Sequence, residues 1–178
     1  MMRRWPPMAA ALLALAGCGG ERPGAANAGP GAVVADSAVA CLRIGASAAE
    51  VRRACGAVQD TTIPLEGMAQ EALWVTVWEG RALAEMVDGA VWRIRVRDPA
   101  LATRDAIAVG TPVRTLAGLP GMRVAHGEGT FVLTDAHCGK SFQVEGLPDR
   151  PEPWAAAEMA ALPDSVRVAE ILVLGRCR

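Results

Sequence analysis

The sequence predicts an α+β protein: short helices packed on an antiparallel sheet, in two tandem α-then-β units. Three observations carry this expectation. Residues 41–58, "CLRIGASAAEVRRACGAV", read as one short helix between glycines. Next, "RALAEMV" and "AVWRIRV" flank Asp88-Gly89, a strong short-range hairpin signal. Finally, residues 106–121, "AIAVGTPVRTLAGLPG", echo the first stretch and precede three strand-like runs. Helices followed by an antiparallel meander make an α+β arrangement.

In the first unit, residues 41–100, Ser47 stands as N-cap with Glu50 three residues later, the spacing of a capping box. Val51 and Cys55 lie four apart on one face, and Gly56 stops the helix. Residues 72–80, "ALWVTVWEG", alternate as a strand, with Trp74, Thr76 and Trp78 on one face and Val75 and Val77 on the other. A two-residue turn at Asp88-Gly89 would pair Val87 with Ala90, Glu85 with Trp92 and Leu83 with Ile94. That register places Leu83, Val87, Trp92, Ile94 and Val96 on the helix side. Ala84, Met86, Val91, Arg93, Arg95 and Arg97 then face the other way.

The second unit, residues 101–178, repeats an aliphatic-glycine step: Val109-Gly110 matches Ile44-Gly45. "TFVLTD", "GKSFQVEG" and "VRVAEILVL" supply its strands, and a Pro-bounded insertion holds a short helix over residues 154–162. Each unit alone is too small to bury a stable core.

The N-terminus reads as a processing signal. Arg3 and Arg4 precede "MAAALLALAG", ten residues that span about 15 Å as a helix, about half a bilayer core. "LAGC" resembles the bacterial lipobox, which makes residues 1–17 a lipoprotein signal peptide and Cys18 the acylated residue. Gly19 after that cysteine, where an Asp would favour the inner membrane, points to the outer membrane, with the head facing the periplasm of a bacterial envelope. Residues 18–40 are rich in Gly, Ala and Pro and read as a flexible tether reaching about 25 Å.

Removal of the signal leaves 16 basic and 19 acidic side chains, a net of −3. Neither that charge nor the 17 Arg against a single Lys, Lys140, indicates a nucleic-acid partner. With Cys18 acylated, Cys41, Cys55, Cys138 and Cys177 remain, an even set suited to two disulfides in an oxidising compartment. The expected pairs are Cys41–Cys55, across one helix, and Cys138–Cys177, a late strand to the C-terminus.

"IGASAAEVRRACGAV…WVTVW…LAEMVDGAVWRIRV" resembles the SmpA/OmlA-type (BamE-like) small outer-membrane lipoproteins. The matching positions are Gly45, Ser47, Glu50, Val51, Gly56, Trp74, Trp78, Gly89, Val91 and Ile94, within residues 41–97. Two such units in tandem are similar to the β-lactamase inhibitory proteins. The resemblance implies helices on an antiparallel sheet, a scaffold or binding role and no catalysis.

No catalytic set emerges. His137 and Cys138 are adjacent, so on a strand they diverge to opposite faces and cannot form a nucleophile pair. Residues 127–129, "GEG", lack the following Lys of a phosphate loop. No cysteine or histidine spacing fits a metal, and no cofactor is indicated. Asp98 and Asp105 read as solvated. The one patterned charge is the Arg93, Arg95, Arg97 stripe. It reads either as a solvent-facing strand whose charges block edge pairing or, with Trp74 and Trp78, as a binding patch, because Trp and Arg are enriched at interface hot spots. The function expected is a lipid-anchored, non-catalytic protein-binding or scaffold module with an envelope protein partner, in outer-membrane assembly or maintenance. The alternative is a periplasmic small-ligand or envelope-lipid binder.

Overall fold

The computed structural model describes residues 32–78, 80–119, 121–127, 129–134, 139–147, 150 and 154–175, with side chains except at 32, 33, 123–127 and 129–134. The expected signal peptide, Cys18, His137, Cys138 and Cys177 lie outside the described residues. In chain order the elements are β1 (Ala32–Val34), β2 (Ala38–Val39), β3 (Leu42–Arg43), α1 (Ala48–Cys55), β4 (Val58–Leu65), β5 (Met68–Val77), β6 (Gly80–Val87) and β7 (Ala90–Val96). There follow β8 (Ala102–Thr103), α2 (Val113–Leu116), β9 (Met122–Gly127), β10 (Gly129–Thr134), β11 (Lys140–Glu145), α3 (Ala156–Ala160) and β12 (Arg167–Val173).

Eight strands form one antiparallel sheet in the order β4-β5-β6-β7-β12-β11-β10-β9, and β3-β2-β1-β8 form a small second sheet. The fold is therefore α+β, with short helices and a mainly antiparallel sheet. β7 and β12 meet in the middle, where Ile94, Arg95 and Val96 pair with Val173, Leu172 and Ile171.

α1 forms where the cap residues indicate. The Glu50 carboxylate accepts from Ser47 N at 2.8 Å, and Glu50 N donates to Ser47 Oγ at 3.3 Å. These bonds satisfy backbone donors that a helix start leaves open. The bond from Ser47 N, and after it one from the Ser47 hydroxyl at 2.7 Å, hold the Glu50 carboxyl below its ordinary range. Gly45 just upstream, at φ +83°, donates to Val91 O, and Val91 N returns to Ala46 O. Gly110, at φ +89°, makes the corresponding bonds ahead of α2: it donates to Val168 O, and Val168 N returns to Thr111 O. A left-handed backbone at both positions favours glycine.

One hydrophobic cluster joins the sheet to everything packed on it. Val51 from α1, Val113 and Leu116 from α2 and Met159 from α3 meet Val75, Ala84, Ile94, Phe142 and Ile171 from the sheet. Val34, Val39 and Leu42 from the small sheet belong to the same cluster. Residues 32–39, within the stretch expected as tether, are thus built into the fold, because Val34 and Val39 are buried there. The Asp36 carbonyl accepts from Gly175 N at 3.1 Å, and its carboxylate pairs with Lys140, which fastens this segment to β11 and the end of β12.

The expected hairpin forms, with Val87 paired to Ala90, but its register departs from expectation. Glu85 pairs with Arg93 and Met86 with Val91, which leaves Trp92 as an extra, bulged residue. One extra residue shifts all later pairs and flips their faces. Leu83 consequently sits opposite Arg95 rather than Ile94, and Ala84 pairs with Ile94. Ala84, Met86, Val91, Ile94 and Val96 face the helices; Leu83, Glu85 and Val87 share the other face with the arginines. β12 carries a matching irregularity, where Gln143 pairs with Glu170 but Val144 pairs with Val168.

Candidate functional site: the helix-free sheet face

All buried residues of the described helices belong to the cluster on one side of the sheet. No described helix packs on the other side. Strand alternation places Ala72 and Trp74 of β5, Leu83 and Glu85 of β6, Arg93 and Arg95 of β7, and Glu170 and Leu172 of β12 on that helix-free face.

At its centre lies an ion-pair network across three strands. Glu85 and Glu170 are buried, with side chains 0% and 1% exposed, among Arg93 at 19%, Arg95 at 25% and Arg97 at 65%. Arg95 donates from Nε and Nη2 to the two Glu170 oxygens at 2.6 and 2.7 Å, and from Nη1 to Glu85 at 3.3 Å. Arg93 holds the other Glu85 oxygen at 2.9 Å through Nε, and Arg97 donates to Glu170 at 3.0 Å. An unpaired buried carboxylate would cost several kcal/mol, on the order expected for a desolvated ion, so these arginines are what make the burial tolerable. The hydrogen bonds to Glu170 raise the Arg95 pKa above its ordinary value, against the opposing effect of burial.

The arginine stripe is therefore not the edge-blocking row that the alternation alone permits. β7 is an interior strand, and its charges are largely neutralised by Glu85 and Glu170, two residues that sequence reasoning missed. Their signal was available: each is the lone carboxylate in a run that is apolar but for one arginine near its start, "RALAEMV" and "VRVAEILVL".

Apolar side chains surround the network. Met68, Val87, Trp92, Leu174 and Trp78 are the large hydrophobic residues that stand exposed among the described residues. Met68, Val87, Trp92 and Leu174 belong to this face: Met68 and Val87 by alternation along β5 and β6, Leu174 by continuing the alternation of Glu170 and Leu172. Trp92 lies under the Arg93 guanidinium, 4.5 Å from the ring centroid. Trp74 is half-buried on the same face, opposite Leu83 and covered by Arg81 at 4.9 Å. Trp78 does not join them. It sits in the β5–β6 turn at φ +53°, off the strand face expected for it.

The Cys41–Cys55 pair is formed, with Cα atoms 5.4 Å apart, and ties the β2–β3 turn to the end of α1. Among the described residues no group of three His, Cys, Asp or Glu is placed to hold a metal ion. None of the described helices is long and apolar enough to cross a membrane.

No known protein family's sequence profile matches the chain, and no curated protein matches it. Its fold is similar to that of the uncharacterized protein yfeY from Escherichia coli. The two superpose with a TM-score of 0.54 over 79% of this chain and 98% of that one, at 15% sequence identity. At that identity the likeness shows the fold alone.

Proposed function

We propose that the chain is a lipid-anchored envelope protein whose head is a non-catalytic binding module, docking a protein partner on the helix-free sheet face. The observation that carries this reading is the make-up of that face: four exposed large apolar residues around a fixed array of arginines. Exposed apolar clusters rimmed by polar residues mark interaction surfaces, and Trp and Arg dominate their energetics. The Glu85–Arg95–Glu170 network holds the arginines in place before a partner arrives, so little side-chain ordering is left to oppose binding.

The head reads as two tandem α-then-β units related by the β7–β12 seam, as in the SmpA/OmlA-like and β-lactamase-inhibitor-like arrangement. Support comes from the paired Gly45–Val91 and Gly110–Val168 clasps and from the bulges at matching places in β7 and β12. The anchor rests on "LAGC" and Cys18.

Two experiments test the reading. Palmitate labelling of the wild type but not of Cys18→Ala is the outcome expected for the anchor; equal labelling of both overturns it. For the binding face, the native complex extracted in mild detergent is expected to shrink to monomer size in Trp92→Ala/Leu174→Ser. A complex of unchanged size in that variant overturns the assignment of the face.

A further inference from the structure

We infer that the group recognised on this face is an acidic loop of a folded protein, whose carboxylates pair with Arg81 and Arg97 while neighbouring apolar side chains cover Trp92 and Val87. The inference rests on reading the face as the binding surface and adds the chemistry of what binds there.

Charge is the first argument. Arg81, Arg93, Arg95 and Arg97 gather around Glu85 and Glu170, while the Asp98 carboxylate accepts from Arg81 N at 3.0 Å and Glu145 stands opposite Arg167, so the described residues here carry an excess of one positive charge. Glu85 is taken up by Arg93 and Arg95, and Glu170 by Arg95 and Arg97. Arg97 is the most exposed arginine of the network, and among the described residues its side-chain hydrogen bond uses Nε alone. The pairing of Ala82 with Val96 sets Arg81, near the start of β6, beside Arg97, just past the end of β7, with the Arg81 guanidinium 4.9 Å from the Trp74 ring centroid. Among the described residues the remaining donors of both guanidiniums carry no side-chain hydrogen bond, and two such neighbours present a fork suited to carboxylates.

Shape is the second argument. The apolar end of the face, with Met68, Val87 and Trp92, lies about six strand residues from Arg81, or about 20 Å. A small anion cannot cover both ends, whereas a protein loop with an acidic and an apolar portion can. Arg93 and Arg95 are only 19% and 25% exposed, so most of each side chain is already covered by the protein itself.

The test pans a phage-displayed library of disulfide-constrained loops on the full chain in detergent, with phosphatidylglycerol vesicles as a second probe. Enriched loops are expected to carry Asp or Glu beside Leu or Phe. Their affinity should fall at least tenfold for Arg81→Ala/Arg97→Ala, recover in part for Arg81→Lys/Arg97→Lys, and weaken with salt. Both arginines are exposed, and unchanged circular dichroism and thermal unfolding confirm that the variants fold. Loops that lose binding to Trp92→Ala but carry no acidic excess, and bind the double alanine variant as they bind wild type, overturn this inference and leave the binding face standing. Loops indifferent to all these substitutions overturn both. Vesicle binding that depends on Arg81 and Arg97, with no acidic loop enriched, overturns the protein partner in favour of a lipid surface.

Discussion

Arg95 and Glu170 are 75 residues apart in the chain, yet they form a two-pronged ion pair across the β7–β12 seam at 2.6 and 2.7 Å. Only three residue pairs form the register of that seam, so the ion pair closes a junction that backbone pairing alone holds briefly. Replacing Arg95 by Ala is expected to destabilise the fold by about 2–3 kcal/mol, less than a fully orphaned buried charge because Arg93 and Arg97 remain. Arg97→Ala, at an exposed end of the network, is expected to cost no more than about 1 kcal/mol. The paired change Arg95→Met/Glu170→Leu should recover most of the loss. Urea unfolding of the variants measures each.

Cys41 and Cys55 close a loop with a sequence separation of 14. A crosslink over that span restricts the unfolded chain by about 3 kcal/mol. Unfolding in urea with and without reductant should differ by about that amount, and Cys41→Ala/Cys55→Ala should behave as the reduced protein and ignore reductant.

Glu158 accepts from Arg150 at 2.6 and 2.9 Å and from Ala155 N at 2.7 Å. The Arg150 hydrogen bonds, and then the Ala155 bond, lower its pKa from 4.5 to about 2. A carboxyl depressed in the folded state supports stability above its unfolded pKa and loses that support as pH falls through the folded one. The capping contribution of Glu158 to α3 should therefore be full above about pH 4.5 and vanish towards pH 2. Carboxyl NMR should give a midpoint near 2, moved up towards the ordinary range in Arg150→Ala.

Gly139 lies directly beneath the backbone of Asp36: an added Cβ would stand 2.6 Å from the Asp36 carbonyl oxygen and 2.7 Å from its Cα. Backbone cannot yield as a side-chain tip does, so Gly139→Ala should lift residues 34–39 off the last strands. Faster proteolysis in this segment, with the α1 region still protected, is the expected readout.

Local chemistry made part of this legible in the sequence. Ser47 and Glu50 fixed the start of α1, and Asp88-Gly89 fixed a hairpin, because both signals act over four residues or fewer. The β7 register was not legible, since the bulge at Trp92 depends on how "AVWRIRV" meets β6 and β12 rather than on its own alternation. β4 has no local signature for a related reason: "VQDTTIPL" has little apolar alternation, and as an edge strand holding Pro64 it needs little. The arginine stripe was visible as a pattern, but its meaning hung on Glu170, placed beside it only by the strand order. Val34 and Val39 carry no local signal of burial, because Gly, Ala and Pro surround them, although the core buries both.

The most direct test of the account is site-specific photocrosslinking in intact cells, with the crosslinker at Leu174 on the helix-free face and, in a matched strain, at exposed Arg53 on α1. The account predicts a discrete protein adduct from Leu174 and none from Arg53. The same adducts from both positions, or an adduct from Arg53 alone, would contradict it.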